Sequence, residues 1–208
     1  MGSKERRLRE QEDVRTRILD AARELFVKHG YEATTMRGIA DRIEFTPTAI
    51  YHHFENKEAL LQEICSIDFA QLAGTFQRIG RIADPIERID RLGQAYVEFG
   101  LTNPMHYQLM FMMQRPAFVP ATQEARDDPA ASAYAFLRIT CEEAIRSGRV
   151  RPQFSDPDQL AQMLWASVHG IVSLHIAKCR DEWVDFRDVR QTAELIRGVM
   201  MEGVTNGK

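Results

Sequence analysis

The chain has 208 residues, 44% of them hydrophobic and 27% charged, with a formal net charge of −3. That is enough apolar material for a packed core, and the charge balance excludes both a solvated acidic tail and a strongly basic nucleic-acid coat protein. No apolar run approaches the ~18 residues that span a bilayer, the opening Met-Gly-Ser-Lys-Glu-Arg-Arg carries no leader-like apolar stretch, and three cysteines suit a reducing cytoplasm better than a disulfide framework.

Residues 1–11 are mostly polar and are expected to form a flexible N-terminal tail, frayed or extending the first helix. Arg6, Arg7 and Arg9 could serve as a minor-groove arm, but Glu5, Glu10 and Glu12 offset their charge and favour a solvated tail. Val14, Ile18, Ala21, Ala22, Leu25 and Phe26 share one helical face, predicting a helix over 12–29 that stops at Gly30. From there one device recurs: a capping residue followed at once by proline, which fits the first helical position because its missing N–H needs no partner. Thr46-Pro47, Asp84-Pro85, Asn103-Pro104, Asp128-Pro129 and Asp156-Pro157 are read as helix starts.

Helices are therefore expected over 36–43, 47–53, 57–79, 85–102, 104–113, 129–147, 157–178 and 187–203. The fold class is all-α with about nine helices, since no alternating β-branched run and no Asn-Gly hairpin signal occurs. Arg115 to Asp128, which contains proline, is the expected mobile loop.

About three residues separate the second and third helices, the spacing of a helix-turn-helix, whose second helix presents its N-terminal residues to a DNA groove. Ile39, Ala40, Ile43, Phe45, Ile50 and Phe54 are expected to pack on Leu25 and Phe26, leaving Thr46, Pro47, Thr48, Tyr51, His52 and His53 outward. No acid lies between Glu44 and Glu55, so no carboxylate there repels phosphate. Residues 1–60 nevertheless carry as many acids as bases, so DNA affinity must come from a few placed contacts and from dimerisation.

Three blocks in order, Thr34-Thr35-Met36-Arg37-Gly38-Ile39-Ala40, Thr46-Pro47-Thr48-Ala49-Ile50-Tyr51-His52-His53-Phe54 and Asn56-Lys57-Glu58-Ala59-Leu60, resemble the signature of the TetR-type transcriptional regulators over residues 12–62. Glu44 departs from it, because the family usually has glycine in that tight turn; a positive φ is expected there at a small cost. The resemblance implies phosphate contacts from Thr35, Tyr51, His52 and Lys57, with Arg37, Thr46, Pro47 and Thr48 nearest the bases. Short hydroxyls and a proline at a helix start suit base edges and thymine methyls, while Lys57 and a capping threonine suit phosphate. For Thr35 and Thr46 capping alone is the plain alternative, and both roles are compatible.

The domain division expected is a tail over 1–11, a helix-turn-helix domain over 12–56 and a ligand-binding and dimerisation domain over 57–208. In the last, residues 104–113 hold four of the nine methionines, and aromatics are spread over several helices. Tyr96, Phe99, Tyr107, Met110, Phe111, Phe136, Trp165 and His169 are the candidate ligand contacts, against the plain reading of ordinary core. The helix after Pro157 is apolar nearly all round, and the last helix carries a wide apolar stripe. Leu195, Ile196, Val199 and Met200 are the candidate dimer interface, which would join two helices to their copies in a four-helix contact. The Trp165-x-x-x-His169-Gly170 spacing, with Asn103-Pro104 and Tyr107 to Phe111, is similar to the TetR subgroup with a WHG-like C-terminal domain. His175 and Cys179 have metal-like spacing but no further ligand nearby in sequence, so no metal and no cofactor are expected.

Together these readings imply a ligand-responsive homodimeric regulator in the cytoplasm, most simply a repressor released from a palindromic operator on double-stranded DNA by a small apolar or amphipathic effector. A TetR-fold adaptor that uses DNA binding to control another partner is the alternative. An enzyme is disfavoured by the absence of a catalytic triad context, a phosphate loop or zinc spacing.

Overall fold

The computed structural model describes residues 3–113, 127–179 and 181–206. Of the expected loop Arg115 to Asp128, all but the last two residues lie outside that range. Nine α-helices occur among the described residues: α1 Ser3–His29, α2 Met36–Arg42, α3 Pro47–Tyr51, α4 Lys57–Ile79, α5 Pro85–Thr102, α6 Pro104–Tyr107, α7 Ala133–Arg146, α8 Pro157–Lys178 and α9 Val189–Val204. A single antiparallel bridge, Val150 with Thr205, is the extended pairing among them.

Capping chemistry sets most of these borders. Thr46, Asp84 and Asp156 each accept backbone N–H groups of the helix they precede, and each is followed by proline at the first turn. The start at Pro104 stands as expected, and Asn103 before it also caps the end of α5, its Nδ2 donating to the Phe99 carbonyl at 3.0 Å. One expected start needs correcting. Asp128 closes a turn, accepting from Ala130 N at 2.8 Å, and the helix begins only after Ser132, whose hydroxyl accepts from Ala135 N at 3.2 Å. The segment expected as one regular helix over 104–113 is α6 followed by a π-helical turn, Gln108–Met112. At the N-terminus α1 reaches back to Ser3, the alternative in which the opening residues extend the first helix. The pairing of Arg6 with Glu10, one helical turn away at 3.6 Å, fits this extension.

The described residues form two compact units. The first comprises residues 3–68 and 105–113, so it runs past the expected boundary at residue 56. The reason is apolar burial continuing down α4: Leu60, Leu61, Ile64 and Cys65 are as buried as Ile18, Phe26, Ile39 and Ile50. Each fully buried aliphatic side chain of this kind contributes about 1.5–3 kcal/mol. Within the same unit Asp68, 0% exposed, accepts from Arg23 at 3.0 Å and pairs with His106 Nδ1 at 2.9 Å. Arg23 also reaches Asp20 at 2.9 Å. This buried ionic cluster ties α1, α4 and α6 together.

The second unit comprises residues 69–104, 127–179 and 181–206 and is built from α5, α7, α8 and α9, each packed on its neighbours. Ile89, Leu92, Tyr96, Val97, Phe99 and Gly100 line the inner face of α5 at helical spacing. Arg88 to Glu143 at 2.5 Å and Arg197 to Asp90 at 2.9 Å pin α7 and α9 to that helix. Gly80 admits the Phe136 ring, which a β-carbon there would meet at 2.8 Å.

One expectation about membranes needs correcting. By length and composition α8 is apolar enough to cross a bilayer, with mean hydropathy 1.3 over its best 18 residues. Gln162, Ser167, His169 and Ser173 break the run without lowering its mean far. That window is 28% buried, and α8 packs against α5, α7 and α9.

Candidate nucleic-acid interface

The reading element is α2, a short turn and α3. Thr35 caps α2, its hydroxyl accepting from Gly38 N at 3.0 Å. The chain then turns on Glu44, at φ 61°, while Phe45 N donates back to the Ala40 carbonyl at 2.9 Å. The turn therefore holds Glu44 in a left-handed backbone that its β-carbon disfavours. Glu44→Gly is expected to stabilise the protein by roughly 0.5–1 kcal/mol, the relieved strain less the added chain entropy, read as a raised urea midpoint.

Ile39, Ala40, Ile50 and Phe54 are buried beneath this element, whereas Ile43 and Phe45 are half-buried. Two arginines of α1 brace it from below, a role that residue types alone did not reveal. Arg17 donates to the Ile43 carbonyl at 3.1 Å and lies 4.9 Å from the Phe45 ring centre. Arg15 donates to the His53 carbonyl at 3.2 Å, lies 4.4 Å from the Phe54 ring centre and pairs with Glu63. The turn and the end of α3 are thus held by charge-assisted hydrogen bonds and cation–π contacts.

On the outer side Thr35, Arg37, Thr46, Thr48, Tyr51 and His52 are exposed and Pro47 is half-buried. Arg37 is loosely paired with Asp41 at 4.0 Å, its side chain 83% exposed. Lys57 differs from the rest of the expected set. Its ammonium donates to the Tyr31 carbonyl at 2.6 Å and sits 4.1 Å from the Tyr31 ring centre. An ammonium has three donors, so a phosphate contact can coexist with that anchor.

His52 and His53 part as adjacent helical positions should, the first exposed and the second half-buried. Burial, with Arg15 and His52 nearby, pushes the His53 imidazole below its ordinary 6.5. The folded state therefore holds this proton less well than the unfolded chain. Its contribution to stability is full above pH 6.5 and is lost as pH falls from there through the folded value. Urea midpoints should accordingly drop from pH 7.5 to pH 5.5, and His53→Gln should flatten that part of the profile.

The aromatic candidates fall into both units. In the second, Tyr96 OH and His169 Nδ1 are 3.0 Å apart, and the Trp165 and His169 rings meet edge-on with centres 6.0 Å apart. Burial lowers the His169 pKa. Phe99 is buried on α5 and Phe136 stands against Gly80. Tyr107, Met110 and Phe111 belong to the first unit; Tyr107 and Met110 are fully buried, and the Tyr107 and Phe111 ring centres are 5.0 Å apart. Of the dimer candidates, Leu195 and Val199 are 64% and 68% exposed, while Ile196 and Met200 are half-buried. No group of three or more metal-ligating side chains occurs among the described residues.

Residues 18–64 match the family model described as bacterial regulatory proteins, tetR family, and residues 89–197 match that described as tetracyclin repressor-like, C-terminal domain. The second description supports the broad family and not the narrower WHG-like group. The HTH-type transcriptional regulator UidR of Escherichia coli strain K12 is 39% identical over 80 residues, spanning 38% of each chain. TtgR of Pseudomonas putida, also an HTH-type transcriptional regulator, is 25% identical over 194 residues, spanning 85% of this chain and 90% of that protein. The fold is shared with the TetR-family regulator PfmR of Thermus thermophilus, at a TM-score of 0.71 and 22% identity over 92% of this chain and 97% of that one. The relatives are regulators and not enzymes. With both halves matched and the helix-turn-helix built as described, the chain belongs to the TetR family of DNA-binding transcriptional regulators.

Proposed function

We propose that the protein is a homodimeric repressor that leaves a palindromic operator when a small apolar or amphipathic effector binds its C-terminal half. The observation that carries the DNA-reading part is the acid-free stretch between Glu44 and Glu55, where Thr46, Thr48, Tyr51 and His52 face solvent over buried Ile50 and Phe54. In this reading Thr35, Tyr51, His52 and Lys57 hold phosphates and Arg37, Thr46, Pro47 and Thr48 meet base edges. Thr48→Ala should change the ranking among DNA sequences, by about 1–3 kcal/mol at the base pair it contacts. Tyr51→Ala should weaken all sequences alike. Competition binding over a panel of operator variants separates the two.

The dimer reading rests on Leu195 and Val199, two apolar side chains on α9 that the single chain leaves in water. For the effector, the supporting feature is the cluster of Tyr96, Trp165 and His169, with Phe99 and Phe136 in the same unit. Release from DNA requires the effector to prefer one arrangement of the dimer. Shifting a 1:99 population to 99:1 takes about 10⁴-fold preference, or about 5.5 kcal/mol. A chain that reads operator DNA acts where bacterial DNA lies, in the cytoplasm. A genome-wide occupancy map tests the repressor reading: one or a few promoter palindromes are expected, whereas many dispersed sites would favour an adaptor role. Native mass spectrometry of freshly purified protein should reveal a co-purified small molecule.

A further inference from the structure

Between α8 and α9 the chain carries an apolar knob beside an apolar hole. Trp183 is 72% exposed, and its indole N–H donates to Asp181 at 3.2 Å, so the polar end of the ring is satisfied and its hydrocarbon faces water. Beside it lies a half-open cavity of about 190 Å³ whose lining sets Ile171, Leu174, Val184, Phe186 and Val189 beside the polar His175, Asp185, Arg187 and Thr192. The indole does not line the cavity next to it. Charges at this place neutralise one another within the chain, Arg187 with Asp185 at 2.8 Å and Lys178 with Asp181 at 3.1 Å. The hole is thus suited to an uncharged hydrocarbon group and not to an ionic ligand.

An isologous two-fold contact uses the same patch on both copies, so a knob and a hole on one patch complement each other when the axis passes between them. We propose that Trp183 of each copy seats in the α8–α9 cavity of the other, so that a second copy of this chain is the occupant of both holes. This inference rests on the homodimer proposed above. Leu174, which lines the cavity, and Leu195 and Val199 of α9 are exposed apolar side chains on the two helices that flank the loop. Two buried indoles supply about 300–500 Å² of the roughly 1,600 Å² that a standard interface covers, and α8 and α9 supply the rest. A central aromatic anchor of this kind carries a disproportionate share of association.

The test measures sedimentation equilibrium and acrylamide quenching on the full chain, wild type against Trp183→Ala and Trp183→Phe. Because Trp183 is exposed in the single chain, these variants should fold as the wild type does. The expected result is a dimer dissociation constant raised about 30-fold by Trp183→Ala, and a Trp183 emission component, taken as wild type minus Trp183→Phe, that is shielded from quencher in the dimer. A wild-type dimer with a freely quenched Trp183, or an unchanged dissociation constant in Trp183→Ala, overturns the exchange and leaves the dimer reading standing. A wild-type chain that stays monomeric at every concentration overturns both.

Discussion

Replacing Asp68 with alanine is expected to lower the folding free energy by about 3–5 kcal/mol, a large share of the roughly 5–15 kcal/mol typical of a domain. Asp68 is 0% exposed and Arg23 is 6% exposed. Removing the carboxylate leaves a buried guanidinium whose remaining acidic partner in the cluster, Asp20, stands at the surface, and it frees His106 from α4. The geometry already leaves Asp68 Oδ2 and Arg23 Nε without protein partners, so little slack exists to absorb a further loss. By contrast, Arg6→Ala, which removes an exposed pair, should cost no more than about 0.5 kcal/mol. Urea denaturation of the two variants side by side gives the comparison. A loss below about 1 kcal/mol for Asp68→Ala would mean that the cluster does not hold the first unit together.

Glutamate at Leu195 and Val199 together should convert the proposed dimer to monomers without unfolding them, because both side chains are already exposed in the single chain. The larger consequence falls on DNA. Two linked reading heads make the second contact intramolecular, with an effective concentration that raises avidity by roughly 10²–10⁴-fold, and monomers forfeit it. Sedimentation and operator binding on the same samples should show both losses together. A double variant that still sediments as a dimer would move the interface away from α9.

Much of the architecture is legible because caps and prolines are local signals. Borders at Pro47, Pro85 and Pro157 follow from single residues and one rule about unpaired N–H groups. The left-handed turn at Glu44 is legible too, since the family position it occupies demands a conformation glycine favours. Pairings are not local. Arg15 with Glu63, Arg23 with Asp68 and His106 with Asp68 join residues 38 to 48 positions apart, and nothing in a helical charge pattern selects one partner over another. The π turn after Tyr107 escaped for a similar reason: its residues keep helical spacing while one hydrogen bond shifts register. For the aromatic candidates, residue type points to a binding role, but composition does not tell which unit claims Tyr107 and Met110 as core.

The two copies in the proposed dimer are expected to read one two-fold symmetric DNA site through α3. Affinity selection of random duplex DNA by the purified full chain, followed by sequencing, tests this most directly. Enrichment of an inverted repeat is expected, with half-sites one helical turn, about 34–36 Å, or a multiple of it apart, and with Thr48→Ala changing the bases chosen within each half. Enrichment of lone half-sites, or of no sequence above the starting pool, would contradict it.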